Sequence, residues 1–483
     1  MKINLKAPLK WTKATHEEQQ MLRSLQGNIL KGHGRAHTCN VFFQLDPTKQ
    51  MESRRALREI ANAHVTNAYS ALLDAMAHKE AKARGETHVS PSFVGLHISQ
   101  TGFTAFGRPI PVASPDSHFK MNMRSPESRL TLADPELKDW QLEFRNQIDG
   151  MILVADTTRD LVDAKRDVIV AILGAANATI VHQQEGGEVR NAAGEGIEHF
   201  GYVDGRSQPL MLVEDIEDEA KEAGIAQWDA QFGLEAALVQ EGSATSLNFG
   251  SYFIFRKLEQ NVQGFKRREQ ELATALGFSG AENRELAGAM VVGRFEDGTP
   301  VTMFDEAKGL VPPNDFNYTS DAGSRCPFHA HIRKVNPRNP DPAERQRIMP
   351  RRGIPFTEVE RKVHPNDVAG SGSVSEFDAV AAPKLPTGDV GLLFMAFNSS
   401  LANQFVFTQK SWANNADFPR AGTGIDPIIG QHSAAAAAIA PQSWHKEWDD
   451  SATATVPFAF ADFVEMKGGE YFYTPSLAFL KTL

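Results

Sequence analysis

TCNVFFQL, residues Thr38 to Leu45, reads as a β-strand: an apolar run of strand length with β-branched and aromatic side chains at its centre. Downstream, Leu57, Ile60, Ala61, Val65, Ala68, Leu72 and Met76 recur at helical spacing and predict one long amphipathic helix. His64 lies on that apolar face and reads as a histidine at the edge of the core, not as a ligand. SFVGLHIS (Ser92 to Ser99) is the next strand, then Met151 to Ala155, a helix from Arg159 to Gly174, and a strand from Ile180 to Glu185. Strand, helix, strand, twice over, is the split βαβ pattern of a ferredoxin-like domain with an antiparallel sheet. Upstream, Thr15-His16-Glu17-Glu18 has capping-box spacing before Met21, Leu22, Leu25 and Ile29, with Gly27 as a stop signal.

The second half repeats the scheme loosely. Ser251 to Leu258 reads as a strand, Gln263 to Leu276 and Ala281 to Val291 as helices, and Val390 to Phe397 as a strand running into a helix from Leu401 to Trp412. The fold class expected is therefore α+β with antiparallel sheets, in two halves, residues 1–212 and 213–483. The acidic run Val213 to Gly224 marks the boundary and reads as a solvated helix face. Pro312 to Gly323 and Val363 to Ala382 are long irregular insertions, the kind usually kept for function. AAAAAIA (Ala434 to Ala440) reads as a short helix or loop without chemical content.

Composition narrows the function. A formal charge of −10 with no basic tail argues against a nucleic-acid partner. No run of about eighteen apolar residues suggests a membrane span. With only two cysteines, Cys39 and Cys326, no disulfide framework is expected and a Cys-rich metal site is excluded. With no apolar signal core at the start of the sequence, a cytoplasmic location is expected. Oligomeric state stays open, a homo-oligomer included.

The chemistry concentrates in SRCPFHAHIRKVNPRNPDPAERQRIMPRRGIPF, Ser324 to Phe356, where His329 and His331 stand among arginines. Imidazole ligates iron, and a guanidinium holds an anionic edge or a polarised oxygen. Residues two apart diverge on a strand or a helix, so only one of the two histidines can point at a given metal. A second stretch, HFGYVDGRSQPL (His199 to Leu210), sets one carboxylate, Asp204, in a glycine turn, where Asp commonly bonds its own backbone.

The order of GYVDG, GSYFIFRKLEQ, CPFHAHIRK, PRRGIPF, GDVGLLFMAFN, QFVFTQKSWANN and FPRAGTGIDPIIG resembles the dye-decolourising peroxidase family of haem proteins. LQGNILKGHGR (Leu25 to Arg35) and GGEYFYTPSLAFL (Gly468 to Leu480) extend the likeness over nearly the whole chain. The resemblance implies two ferredoxin-like domains in a dimeric α+β barrel-like fold, with haem b held mainly by the C-terminal domain. It implies a peroxidase that reduces hydrogen peroxide and oxidises dyes or phenolics. It identifies His331 with the proximal iron ligand, Asp204 with the acid–base carboxylate of a GxxDG signature, and Arg351 with the distal arginine, Arg352 being the alternative. Leu392 and Phe394, alternating on one strand, would cover the distal pocket. Arg333 would pair with a haem propionate. Asp417, Asn336 or a backbone carbonyl would accept the second N–H of His331. A haem-handling protein with incidental peroxidase activity is the alternative function. Trp412, Trp444, Trp448, Tyr471 and Tyr473 are conceivable electron relays but read first as packing residues, so none is assigned.

Overall fold

The computed structural model describes residues 3–309, 313–339, 341–367, 373–432 and 440–483. Thirteen strands occur among them. The first half supplies β1 (His37–Gln44), β2 (Phe93–Ile98), β3 (Gly150–Asp156) and β4 (Thr179–Gly187), with a small hairpin of β5 (Val189–Arg190) and β6 (Gly196–Ile197). The second supplies β7 (Val239–Gln240), β8 (Phe249–Gln260), β9 (Ile354–Thr357), β10 (Val390–Asn398), the pair β11 (Gln442–His445) and β12 (Thr455–Phe458), and β13 (Val464–Thr474).

The main sheet runs β4-β1-β3-β2-β13-β8-β10-β9, antiparallel throughout, with β7 paired to β8. Numbered within each half, both halves have the strand order 4-1-3-2, so the expected ferredoxin-like repeat is present. The halves meet where β2 pairs with β13 at Ile98 and Tyr473. The path's two ends also approach: a Cβ on Gly186 of β4 would come within 2.8 Å of Ile354 in β9. Strand 2 of each half thus faces strand 4 of the other, and the sheet curls into a barrel. Inside, Phe42 of β1 meets Phe255 of β8 edge-on, with centroids 4.8 Å apart. A continuous core of buried Val, Ile, Leu and Phe residues joins the two halves.

Local expectations held where a single signal decided them. Thr15 and Glu18 form the capping box of helix His16–Ser24. The long helix does not form as one piece: it is two, Gln50–Ala63 and Ala68–Ala83. Asn67 caps the second through Ser70 N, and Thr66 N donates instead to Val94 O on β2. His64, at the C-terminal end of the first helix, is partly buried. The expected helix from Leu401 to Trp412 begins only at Phe405 and continues as a π-helix over Thr408–Ala413. Gln404 Oε1 accepts from Ser399 N and Ser400 N and holds the preceding turn out of the helix. The acidic run forms helix Val213–Glu222, whose polar face is pinned by Lys10, Lys31 and Lys79 through Glu217, Asp215 and Asp218. Residues 434–439 lie outside the described residues. No described helix is long and apolar enough to cross a membrane.

Candidate active site

A cavity of about 630 Å3 opens against one face of the second half-sheet. Register builds that face. Leu258 on β8 lies opposite Leu392 on β10 and Met466 on β13, and the alternate residues Arg256, Gln260, Phe394 and Val464 join them at the cavity wall. Leu392 and Phe394 therefore share this face and line the cavity, and Phe405 extends the apolar wall beside Phe394.

His331 begins the short helix His331–Val335 and borders the cavity. Its Nδ1 lies 2.9 Å from Asp426 Oδ2 and 3.2 Å from Oδ1. Asp426 is fully buried, and its Oδ1 also accepts from Ile428 N and Ile429 N. Burial opposes its charge, but His331 and these backbone donors hold its carboxyl below the usual range. An ionised carboxylate only accepts, so Nδ1 carries the hydrogen and Nε2 keeps the lone pair. Burial alone would depress the imidazole's basicity, yet the charge and hydrogen bond of Asp426 raise it above the ordinary histidine value.

The acceptor is thus Asp426, not Asp417, Asn336 or a backbone carbonyl. Asp417 instead accepts from Gly422 N at 3.0 Å, and Asn336 borders the cavity with its Oδ1 unpartnered among the described residues. His329 turns the other way: it is buried edge-on against Trp444, with centroids 4.2 Å apart, and burial drives its pKa down to about 3.

Asp204 sits in a turn with Gly201 and Gly205 at φ +100° and +84°. Val203 N donates to Glu296 O and Asp204 N to Gly196 O, which hangs the turn between two anchored segments. Asp204 Oδ1 accepts from Gly205 N at 2.6 Å, so the turn role is fulfilled. Oδ2 has no hydrogen bond among the described residues, and the side chain borders the cavity. Arg351 also reaches the cavity; its N donates to Gln208 Oε1 and its Nη2 to Arg206 O at 2.7 Å. Burial lowers the guanidinium's pKa while Asp204 acts to raise it. Arg352 spends its donors on the carbonyls of Asn28, Ile29 and Arg351 and serves as a tie.

Arg333 is not brought to the cavity. Its guanidinium is buried on Asp321, on the carbonyls of Asp321 and Cys326, and over the rings of Phe328 and Tyr318. Two other arginines, missed in the sequence, line the wall instead: Arg294 and Arg338. Among the described residues their donors go only to neutral acceptors, namely Ser207 Oγ, Asn314 Oδ1 and the carbonyls of Gly298, Asn314 and Phe316. Burial, above all, pushes them down to about 10 and about 9. The arginine after Asn336-Pro337 was the available signal; its need for an anion appears only once its burial is seen.

These residues fit haem. A single imidazole nitrogen with a lone pair suits an iron already held by a macrocycle. The apolar wall suits a flat apolar ring, and Arg294 and Arg338 suit its carboxylates.

Comparison with known proteins agrees. Residues 24–191 match the DyP dimeric alpha+beta barrel domain, and residues 226–419 match the C-terminal domain of Dyp-type peroxidases. The chain is 42% identical to the multifunctional dye peroxidase DyP2 of Amycolatopsis sp. over the full length of both. It is 31% identical to the dye-decolorizing peroxidase msp1 of Mycetinis scorodonius, over 81% of this chain and 76% of the relative. Among solved structures, the Amycolatopsis DyP2 superposes with a TM-score of 0.89 at 40% identity, covering 100% of both chains. An Anabaena sp. DyP-type peroxidase superposes at 0.85 with 34% identity, covering 98% of this chain and 97% of that one. The chain belongs to the dye-decolourising peroxidase family, haem b enzymes that act on peroxide.

Proposed function

We propose that residues 1–212 and 213–483 form the two domains of a peroxidase that reduces hydrogen peroxide at the cavity described, with dyes or phenolics as one-electron donors. His331 would hold the haem iron, with Asp204 as the proton carrier and Arg351 as the charge stabiliser. One observation carries the reading: His331, braced by a buried carboxylate, and the Asp204–Arg351 pair border the same apolar-walled cavity. Haem b, when bound, supplies the redox-active iron.

The protein's own part is proton and charge management. Asp204, fixed through Oδ1, presents Oδ2 to take the proton from one peroxide oxygen and return it to the other. Arg351 meets the negative charge that develops as the O–O bond lengthens. Leu392 and Phe394 restrict the space beside them. Asp426 holds the tautomer and direction of His331. Two buried free cysteines, Cys39 and Cys326, accord with a cytoplasmic setting.

The test is an absorption spectrum of reconstituted enzyme before and after one equivalent of hydrogen peroxide, repeated on Asp204→Asn. The variant is expected to keep its Soret band and to react about 10²–10⁴-fold more slowly. An unchanged rate removes Asp204 from the chemistry. Full haem binding with an unaltered spectrum in His331→Ala moves the axial ligand elsewhere.

A further inference from the structure

Lys334 lies one helical turn after His331 on the same short helix, and its side chain is completely buried. Spacing of three residues puts the two side chains on one face. The ammonium donates to three backbone carbonyls: Asn415 at 2.8 Å, Phe418 at 2.9 Å and Gly424 at 2.6 Å. An ammonium has three hydrogens, so these bonds saturate it.

All three carbonyls belong to the segment that ends at Asp426. Asp426 N donates to Ala413 O, and Gly424 N to Ala416 O, which closes the segment into a loop. Asn415 and Phe418 lie on its outgoing limb, and Gly424 is two residues before Asp426 on the returning limb. The helix therefore docks on this loop at two points, Lys334 at the carbonyls and His331 at the carboxylate.

We infer that Lys334 is a positioning residue for the proximal pair, its ammonium gathering the two limbs of the 413–426 loop so that Asp426 meets His331 Nδ1. The inference rests on His331 being the iron ligand. An anionic acceptor on Nδ1 makes a ligating imidazole more electron-donating and lowers the reduction potential of its iron. If Lys334 sets that bond, losing the ammonium lets Asp426 drift and the potential rises. Removing a buried positive charge would by itself lower the potential, so a rise identifies the route through Asp426.

The test is the ferric–ferrous potential of four holoenzymes: wild type, Asp426→Asn, Lys334→Met and the double variant. Asp426→Asn is expected to raise the potential. Lys334→Met is expected to raise it by a smaller amount, and to raise it no further in the Asp426→Asn background. An unmoved or lowered potential in Lys334→Met, or a shift that adds fully to that of Asp426→Asn, overturns the inference. An unmoved potential in Asp426→Asn alone overturns the ligand reading beneath it. Should Lys334→Met fail to fold by circular dichroism, Lys334→Gln retains two donors on a shorter stem. It is expected to show the same sign, and no rise there is equally fatal.

Discussion

The guanidinium of Arg351 donates to the backbone carbonyl of Arg206 at 2.7 Å, two residues beyond Asp204. The arginine proposed to meet negative charge is thus moored to the turn that carries the proposed proton carrier, Asp204. Arg206 in turn is ion-paired to Glu195, at the tip of the hairpin formed by β5 and β6.

Arg351→Leu is expected to lower the bimolecular rate with peroxide by about 10²–10³-fold, as loss of a preorganised charge donor generally does. Haem content should be unchanged. Arg351→Lys should recover little, since one ammonium cannot reproduce the planar fork that reaches Arg206 O while facing Asp204. Stopped-flow absorbance under single-turnover conditions checks both.

Arg333→Met separates stability from cofactor binding. It strands Asp321 in the core without its cation and should cost about 3 kcal/mol, although backbone donors from Gly323, Arg325 and Cys326 remain. Haem affinity should not change, because the guanidinium does not face the cavity. A urea midpoint and a haem titration measure the two quantities on one preparation; a large loss of haem affinity with intact stability would return Arg333 to the cofactor.

Glu198 borders the cavity and accepts from Phe200 N, Tyr202 N and Gln260, yet burial dominates and pushes its pKa up to about 7. The folded state therefore holds this proton over a range where the unfolded chain, ordinary at 4.5, has released it. Its contribution to stability is intact below pH 4.5, falls as pH rises through that window and is flat above about 7. Glu198→Gln is expected to flatten that slope, by roughly 2–3 kcal/mol between pH 5 and 8. Denaturation midpoints at the two pH values, compared with wild type, decide it.

The site was legible in the sequence where a residue's place follows from its neighbours in the chain. Asp204 between two glycines and His331 at the start of AHIRK are of this kind, as are Leu392 and Phe394, whose shared face follows from strand alternation. Asp426 was on view in GTGIDPIIG, but nothing local distinguishes it from Asp417 in NNADFP. The choice depends on which carboxylate the loop folds back upon His331. Arg333 failed for the converse reason: an arginine two residues after His331 looks available until Asp321, twelve residues earlier, is seen to claim it. The helix broken at Thr66 and Asn67 has the same origin, since apolar spacing continues across a point where the backbone is taken by β2.

β13, the last of the described strands, lies in the middle of the sheet, with β2 from the first half on one side and β8 on the other. Val464 and Met466 on it also line the cavity. During synthesis on the ribosome, the first half-sheet can assemble early, but the seam between the halves cannot. The pocket wall stays incomplete until residues 464–474 have emerged, so the cavity can close only after both half-sheets have been made. A nascent chain stalled short of that strand would have His331 and Asp204 but no closed chamber to hold them on the same ligand.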